Sequence, residues 1–191
     1  MEEARAPLPE PQAPQRDVVD VQLEAWKREF PDMDVLTEAL ISRIMKISRY
    51  VERALRETAD AYGLTLQDWD VLSALRRAGT PYRLSPSQLA KDLMVHPATM
   101  TGRIDKLEAA GWVRRLADPQ DRRATQVELT PRGKSKWEEA VQLQARKEQL
   151  IAGSLSPEEK LTASDLLRRV MVSFEGLYGP PPTKSQIADQ R

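Results

Sequence analysis

The chain has 191 residues, 40% of them hydrophobic and 30% charged, with 29 lysines and arginines against 29 aspartates and glutamates. That suits one compact globular subunit with helical extensions and argues against a disordered chain. There is no cysteine and one histidine, His96, which excludes disulfides and thiol chemistry and argues against a zinc site.

The first 16 residues hold four prolines and little to bury, and read as a disordered tail without the apolar core of a secretory leader. The segment VVDVQLEAWKREF suits a short helix ending before Pro31. A long helix starts near Asp34. Its apolar residues Leu36, Leu40, Ile44, Ile47, Val51 and Leu55 keep to one face, and Gly63 stops it. TLQDWDVLSALRRAG is a third helix, with Thr65 as cap, acids early, and Arg76 and Arg77 late, as the helix dipole favours.

Ser85-Pro86 and His96-Pro97 each place a proline at a first helical position. The short helix, the brief turn and the helix that ends at Gly111 form a helix-turn-helix pattern. WVRRLAD and RATQVEL, separated by DPQDR, read as a β-hairpin. Thr130-Pro131 opens a helix to about Gly153. Ser156-Pro157 opens a last one, whose stripe is Leu166, Leu167, Val170, Met171, Phe174 and Leu177. No run of 18 apolar residues occurs, so no membrane span is expected, and a cytoplasmic location fits.

Charge is uneven along the chain. Residues 1–40 carry ten acids and four bases, and residues 112–136 carry seven bases and three acids. The second stretch is the candidate for a polyanion. A helix fits the DNA major groove, and a hairpin tip can reach the adjacent minor groove. On a helical wheel Ile104 and Leu107 fall within about 40° of Met100, and Ala98, Thr101, Gly102 and Asp105 lie opposite. The exposed start of this helix (His96, Pro97, Ala98, Thr99, Thr101) is the expected DNA contact.

Asp121, Arg123, Val127, Leu129, Thr130 and Gly133 stand in the spacing D-x-R-x-x-x-V-x-L-T-x-x-G. This resembles the signature of the multiple antibiotic resistance regulator (MarR) family, and motif and helix order agree over roughly residues 34–177. The resemblance implies a mainly α fold with a β-hairpin wing, a winged helix-turn-helix homodimer that acts as a repressor on a palindromic DNA operator. It implies that Arg122 or Arg123 enters a minor groove while Asp121 supports the wing. The expected organisation is a tail at 1–16, N-terminal helices at 17–62, the DNA-binding domain at 63–130, C-terminal dimerisation helices at 131–178 and a tail at 179–191.

EAWKREFPDMD, DWDVLSALRRAGTPYRLSP, MTGRIDKLEAAGWVRR and DPQDRR together resemble the urate-responsive, PecS-type branch of that family. The residues matching its ligand site are Trp26, Asp70, Arg103 and Arg115. Their chemistry suits a planar purine anion, which wants an aromatic wall and guanidinium forks. Arg103 lies about 60° from Met100, beside the buried stripe. Arg114 and Arg115 point to opposite strand faces, and alternation leaves open which is inward. Asp68 is expected in a solvated first turn. An anion bridging Arg103 to Asp70 and Arg115 would shift the DNA-reading helix. The alternatives are a polycarboxylate effector such as citrate or aconitate, and a winged-helix interaction module without specific DNA binding. Nothing in the sequence asks for a cofactor, a metal or an enzymatic reaction.

Overall fold

The computed structural model describes residues 16–117 and 124–181. Asp121, Arg122 and Arg123, at the tip of the expected wing, lie outside the described residues. Helix α1 (Val18–Glu29) is capped by Asp17, whose carboxylate accepts the Val19 and Asp20 N–H groups. It buries only Val19 and Leu23 and packs on α2 (Val35–Ala61). Arg43 of α2 ties the two together, with Nε 2.8 Å from Asp17 and Nη2 2.6 Å from Asp20.

Next come α3 (Leu66–Arg77), β1 (Arg83–Leu84), α4 (Pro86–Asp92), α5 (Pro97–Ala109), β2 (Val113–Ala117) and β3 (Thr125–Leu129). Thr65 and Ser85 cap α3 and α4 reciprocally, each hydroxyl accepting the backbone N–H three residues on. Leu72, Leu75, Leu89, Met100, Ile104, Leu107, Val113 and Val127 meet in one sealed core. Each such side chain contributes roughly 1.5–3 kcal/mol by leaving water. The strand order is β1-β3-β2, all antiparallel, with Arg83 opposite Glu128 and Arg115 opposite Val127. The sequence pattern predicts only the hairpin; β1, two residues long, offers no alternation to read.

The sheet is welded to α6 (Pro131–Ile151). Thr130 Oγ1 donates to Gly111 O at 2.7 Å and accepts the Gly133 N–H at 2.8 Å. Gly133 lies so close to the preceding turn that a Cβ there would sit 1.9 Å from the Trp112 carbonyl oxygen. Helix α6 packs along α2, and its Trp137 ring lies 4.3 Å from that of Trp69 on α3. Helix α7 (Pro157–Tyr178) is capped by Ser156 and buries none of its 22 residues. It borders an open groove of about 1150 Å³ whose walls include Leu40, Ile44, Ile47 and Val51 of α2 and Leu167 and Phe174 of α7.

Two outcomes follow from these joints. Gly133→Ala forces a methyl into a backbone carbonyl and is expected to destabilise by about 3 kcal/mol or more, read as a drop in Tm; a melting curve equal to wild type contradicts the joint. The Arg43 hydrogen bond, helped by the Asp20 and Val19 N–H groups against partial burial, pushes the Asp17 carboxyl from 3.8 down to about 2. A depressed native pKa stabilises above the unfolded value and is lost as pH falls through the native one. Hydrogen-exchange protection of α1 is therefore expected to fall between pH 3.8 and about 2, and Arg43→Ala is expected to abolish that pH dependence. Protection that stays constant through this window in wild type contradicts the clasp.

Candidate nucleic-acid interface and effector site

Helix α5 presents its first turn to solvent because its apolar residues begin at Met100. Met100, Ile104 and Leu107 are sealed, while His96, Pro97, Ala98, Thr99 and Thr101 are all exposed. His96 caps the helix through Nδ1, which accepts the Ala98 N–H at 3.2 Å, and Pro97 takes the first helical position. The Thr101 hydroxyl donates to Pro97 O at 3.1 Å. The result is a small, polar, exposed helix end whose Thr99 N–H is the first-turn amide left over after the cap, the kind of surface that meets phosphate oxygens.

Two sets of ion pairs hold α5 in place. On one side Lys106 Nζ donates to Asp68 Oδ2 of α3 at 2.6 Å, and the same carboxylate oxygen accepts the Thr65 N–H. Asp68 is only 1% exposed. This corrects the expectation of a solvated turn: the acid three residues after a capping threonine folds back on its own helix start, and Lys106 then covers it. On the other side Arg115 of β2 reaches Asp105 through Nη2 at 2.6 Å and Glu108 through Nη1 at 2.5 Å. Its backbone N–H also donates to Glu108 at 2.8 Å. Burial works against the Arg115 charge, but the two carboxylates outweigh it and its pKa rises.

The four residues matched to a ligand site are placed unequally. Arg103 is half-buried on α5, and among the described residues it makes no hydrogen bond or ion pair. Arg115 is occupied by the carboxylates just named, one of them two residues from Arg103. Asp70 is half-buried on α3, two residues beyond the Asp68 tie to α5. Trp26 is 51% exposed on α1, its ring 5.6 Å from that of Phe30. Among the described residues no ring or cation–π contact joins Trp26 to either arginine.

Arg114, left without a role by the sequence, bonds Glu128 of β3 at 2.8 Å, and Arg83 of β1 bonds the same carboxylate at 3.1 Å. The three residues form a charged ladder across the sheet. Burial alone would raise the Glu128 pKa, but Arg114 and Arg83 outweigh it and hold it low. The basic stretch 112–136 therefore commits part of its charge internally: Lys134 also lies 5.2 Å from the Tyr82 ring, which Arg76 covers at 4.5 Å. The sequence carried a hint of the Arg115 clasp in acids near the end of a helix that turns directly into an arginine-bearing strand. It carried no hint of Lys106 meeting an acid 38 residues away.

Residues 64–125 match the MarR family. The chain is 37% identical to the HTH-type transcriptional regulator PecS of Dickeya dadantii (strain 3937), over 81% of this chain and 92% of that one. Among solved structures, wild-type MarR from E. coli in its apo form is similar at 30% identity, with a TM-score of 0.58 and coverage of 69% of this chain and 95% of that one. A MarR mutant from E. coli complexed with operator DNA is similar at 28% identity and a TM-score of 0.55, covering 76% and 96%. Matched over nearly the whole of PecS at that identity, with the same winged-helix fold as its structural relatives, the chain belongs to the MarR family of transcriptional regulators.

Proposed function

We propose that the protein is a homodimeric, operator-binding repressor released from DNA by a small anion, with urate or a related purine as the effector. The observation that carries this is the double duty of α5. Its exposed N-terminal turn suits DNA, and one to two turns further on it carries Arg103 and the acids that hold Arg115. An anion taken up by those arginines acts on the same rigid element that meets the operator. The relative complexed with operator DNA supports the first half of this reading. The likeness of Trp26, Asp70, Arg103 and Arg115 to the urate-responsive branch supports the second.

What one chain leaves open supports dimerisation. Helix α7 has no fully buried residue in one chain, whereas most helical stability in proteins comes from packing an apolar face. The apolar stripes of α2 and α7 face a groove that only another apolar surface satisfies. A second copy offering the same two stripes is self-complementary, as a two-fold interface requires. The two α5 helices of such a dimer are expected to read half-sites about one helical turn apart. The exposure of Trp26 favours a second reading of the effector. If no aromatic wall closes on the site, the arginines suit a polycarboxylate such as citrate as well as a purine.

Three outcomes test this. The protein should bind the intergenic DNA upstream of its own gene in preference to random duplex, with affinity that falls steeply with salt; equal affinity for both sequences contradicts the operator reading. Urate should release that complex where citrate does not, and Arg103→Ala should lose the response while keeping its Tm; release by citrate alone selects the polycarboxylate. Phe174→Glu, which places a charge in the groove, should turn a dimer into a monomer by sedimentation, and a wild-type monomer contradicts the interface.

A further inference from the structure

The Arg115 clasp raises a question that the effector reading leaves open. A carboxylate on a DNA-reading helix repels phosphate unless something masks it. Asp105 is such a carboxylate. It lies about 140° from the buried Met100 position, on the same outer face as Thr101 and Ala98, and its side chain is 58% exposed. Helix α5 carries two bases of its own, Arg103 and Lys106. Lys106 is spent on Asp68, and among the described residues Arg103 bonds no acid. The cation on Asp105 is Arg115, from the neighbouring strand.

We propose that Asp105 and Glu108 are built-in competitor anions for Arg115, and that an effector which takes Arg115 unmasks Asp105 against the operator phosphates. The inference rests on the effector reading above and supplies its coupling device. The geometry says which acid gives way. Glu108 is held twice, by Arg115 Nη1 and by the Arg115 backbone N–H. Asp105 is held once, through Nη2, and is the more exposed of the two. An oxyanion that engages a guanidinium with two parallel N–H bonds can use the Nε–Nη2 edge. That edge displaces Asp105 and leaves Glu108 in place. Ligand binding is then an exchange of anions: the clasp opens, Arg115 turns to the effector, and a negative charge is freed on the face that reads DNA. Such an effector needs an anionic edge with two coplanar acceptors, which a urate monoanion or a carboxylate supplies.

The test is Asp105→Asn, which keeps the shape and removes the charge at an exposed position. Two quantities are measured: the urate Kd of the free protein, and the ratio of operator Kd with and without saturating urate, with citrate run in parallel. Without its competitor, Arg115 is expected to bind urate roughly twofold to fivefold tighter. With nothing to unmask, the operator ratio is expected to shrink towards one. An ion pair that only braced the helix would lower Tm and weaken operator binding equally with and without ligand, leaving the ratio as in wild type. Either quantity unchanged in Asp105→Asn overturns the exchange. Wild-type operator binding that ignores both urate and citrate overturns the effector reading and the exchange together, and so separates the two failures.

Discussion

The orientation of α5 is the constraint on which the molecule depends. A recognition helix of 13 residues has too little apolar surface to fix its own angle. Met100, Ile104 and Leu107 seat it in the core, but a greasy stripe allows sliding and rolling. Directional ion pairs remove that freedom. Lys106 fastens the helix to the start of α3, and Asp105 and Glu108 fasten it to β2. The Arg115 pairs can be exchanged for other anions at low cost, because partly exposed pairs contribute little net stability. A helix fixed by packing alone would offer an effector nothing to exchange.

What α5 does is carried to the rest of the chain through a stiff joint. Thr130 bonds back to Gly111, the residue that ends the α5 turn, and Gly133 lets α6 touch the Trp112 backbone. Helix α6 runs on against α2, and the Trp69–Trp137 contact braces α3 to it. A tilt of α5 against α3 therefore reaches the helices that, in the proposed dimer, set the separation of the two reading heads. Helix α1 stands outside this path. It is clasped to α2 by Arg43 and by two buried apolar residues.

Much of this was legible in the sequence, for reasons that can be named. Caps at Thr65, Ser85, Thr130 and Ser156 combine a hydroxyl with a proline or an early acid, a local signal that tertiary context seldom overrides. The stripes of α2 and α7 follow helical spacing, and most of their residues line the groove, though not Leu36, Met171 or Leu177. The burial of Met100, Ile104 and Leu107 follows from the wheel. What escaped was pairing at a distance. The sequence says that Asp68 is early in a helix, but only the fold brings Lys106 to it. It says that Arg114 and Arg115 face opposite ways, but not that one meets Glu128 and the other meets Asp105. β1 escaped because two residues have no period.

If α5 is where operator and effector meet, each must weaken the other by the same factor, because coupling between two sites is reciprocal. The most direct measurement is calorimetric titration of urate into the free protein and into the protein saturated with its operator. The account predicts a weaker urate Kd on DNA, by the factor with which urate weakens the operator Kd. Equal urate affinity in the two titrations, alongside an intact operator complex, would contradict it.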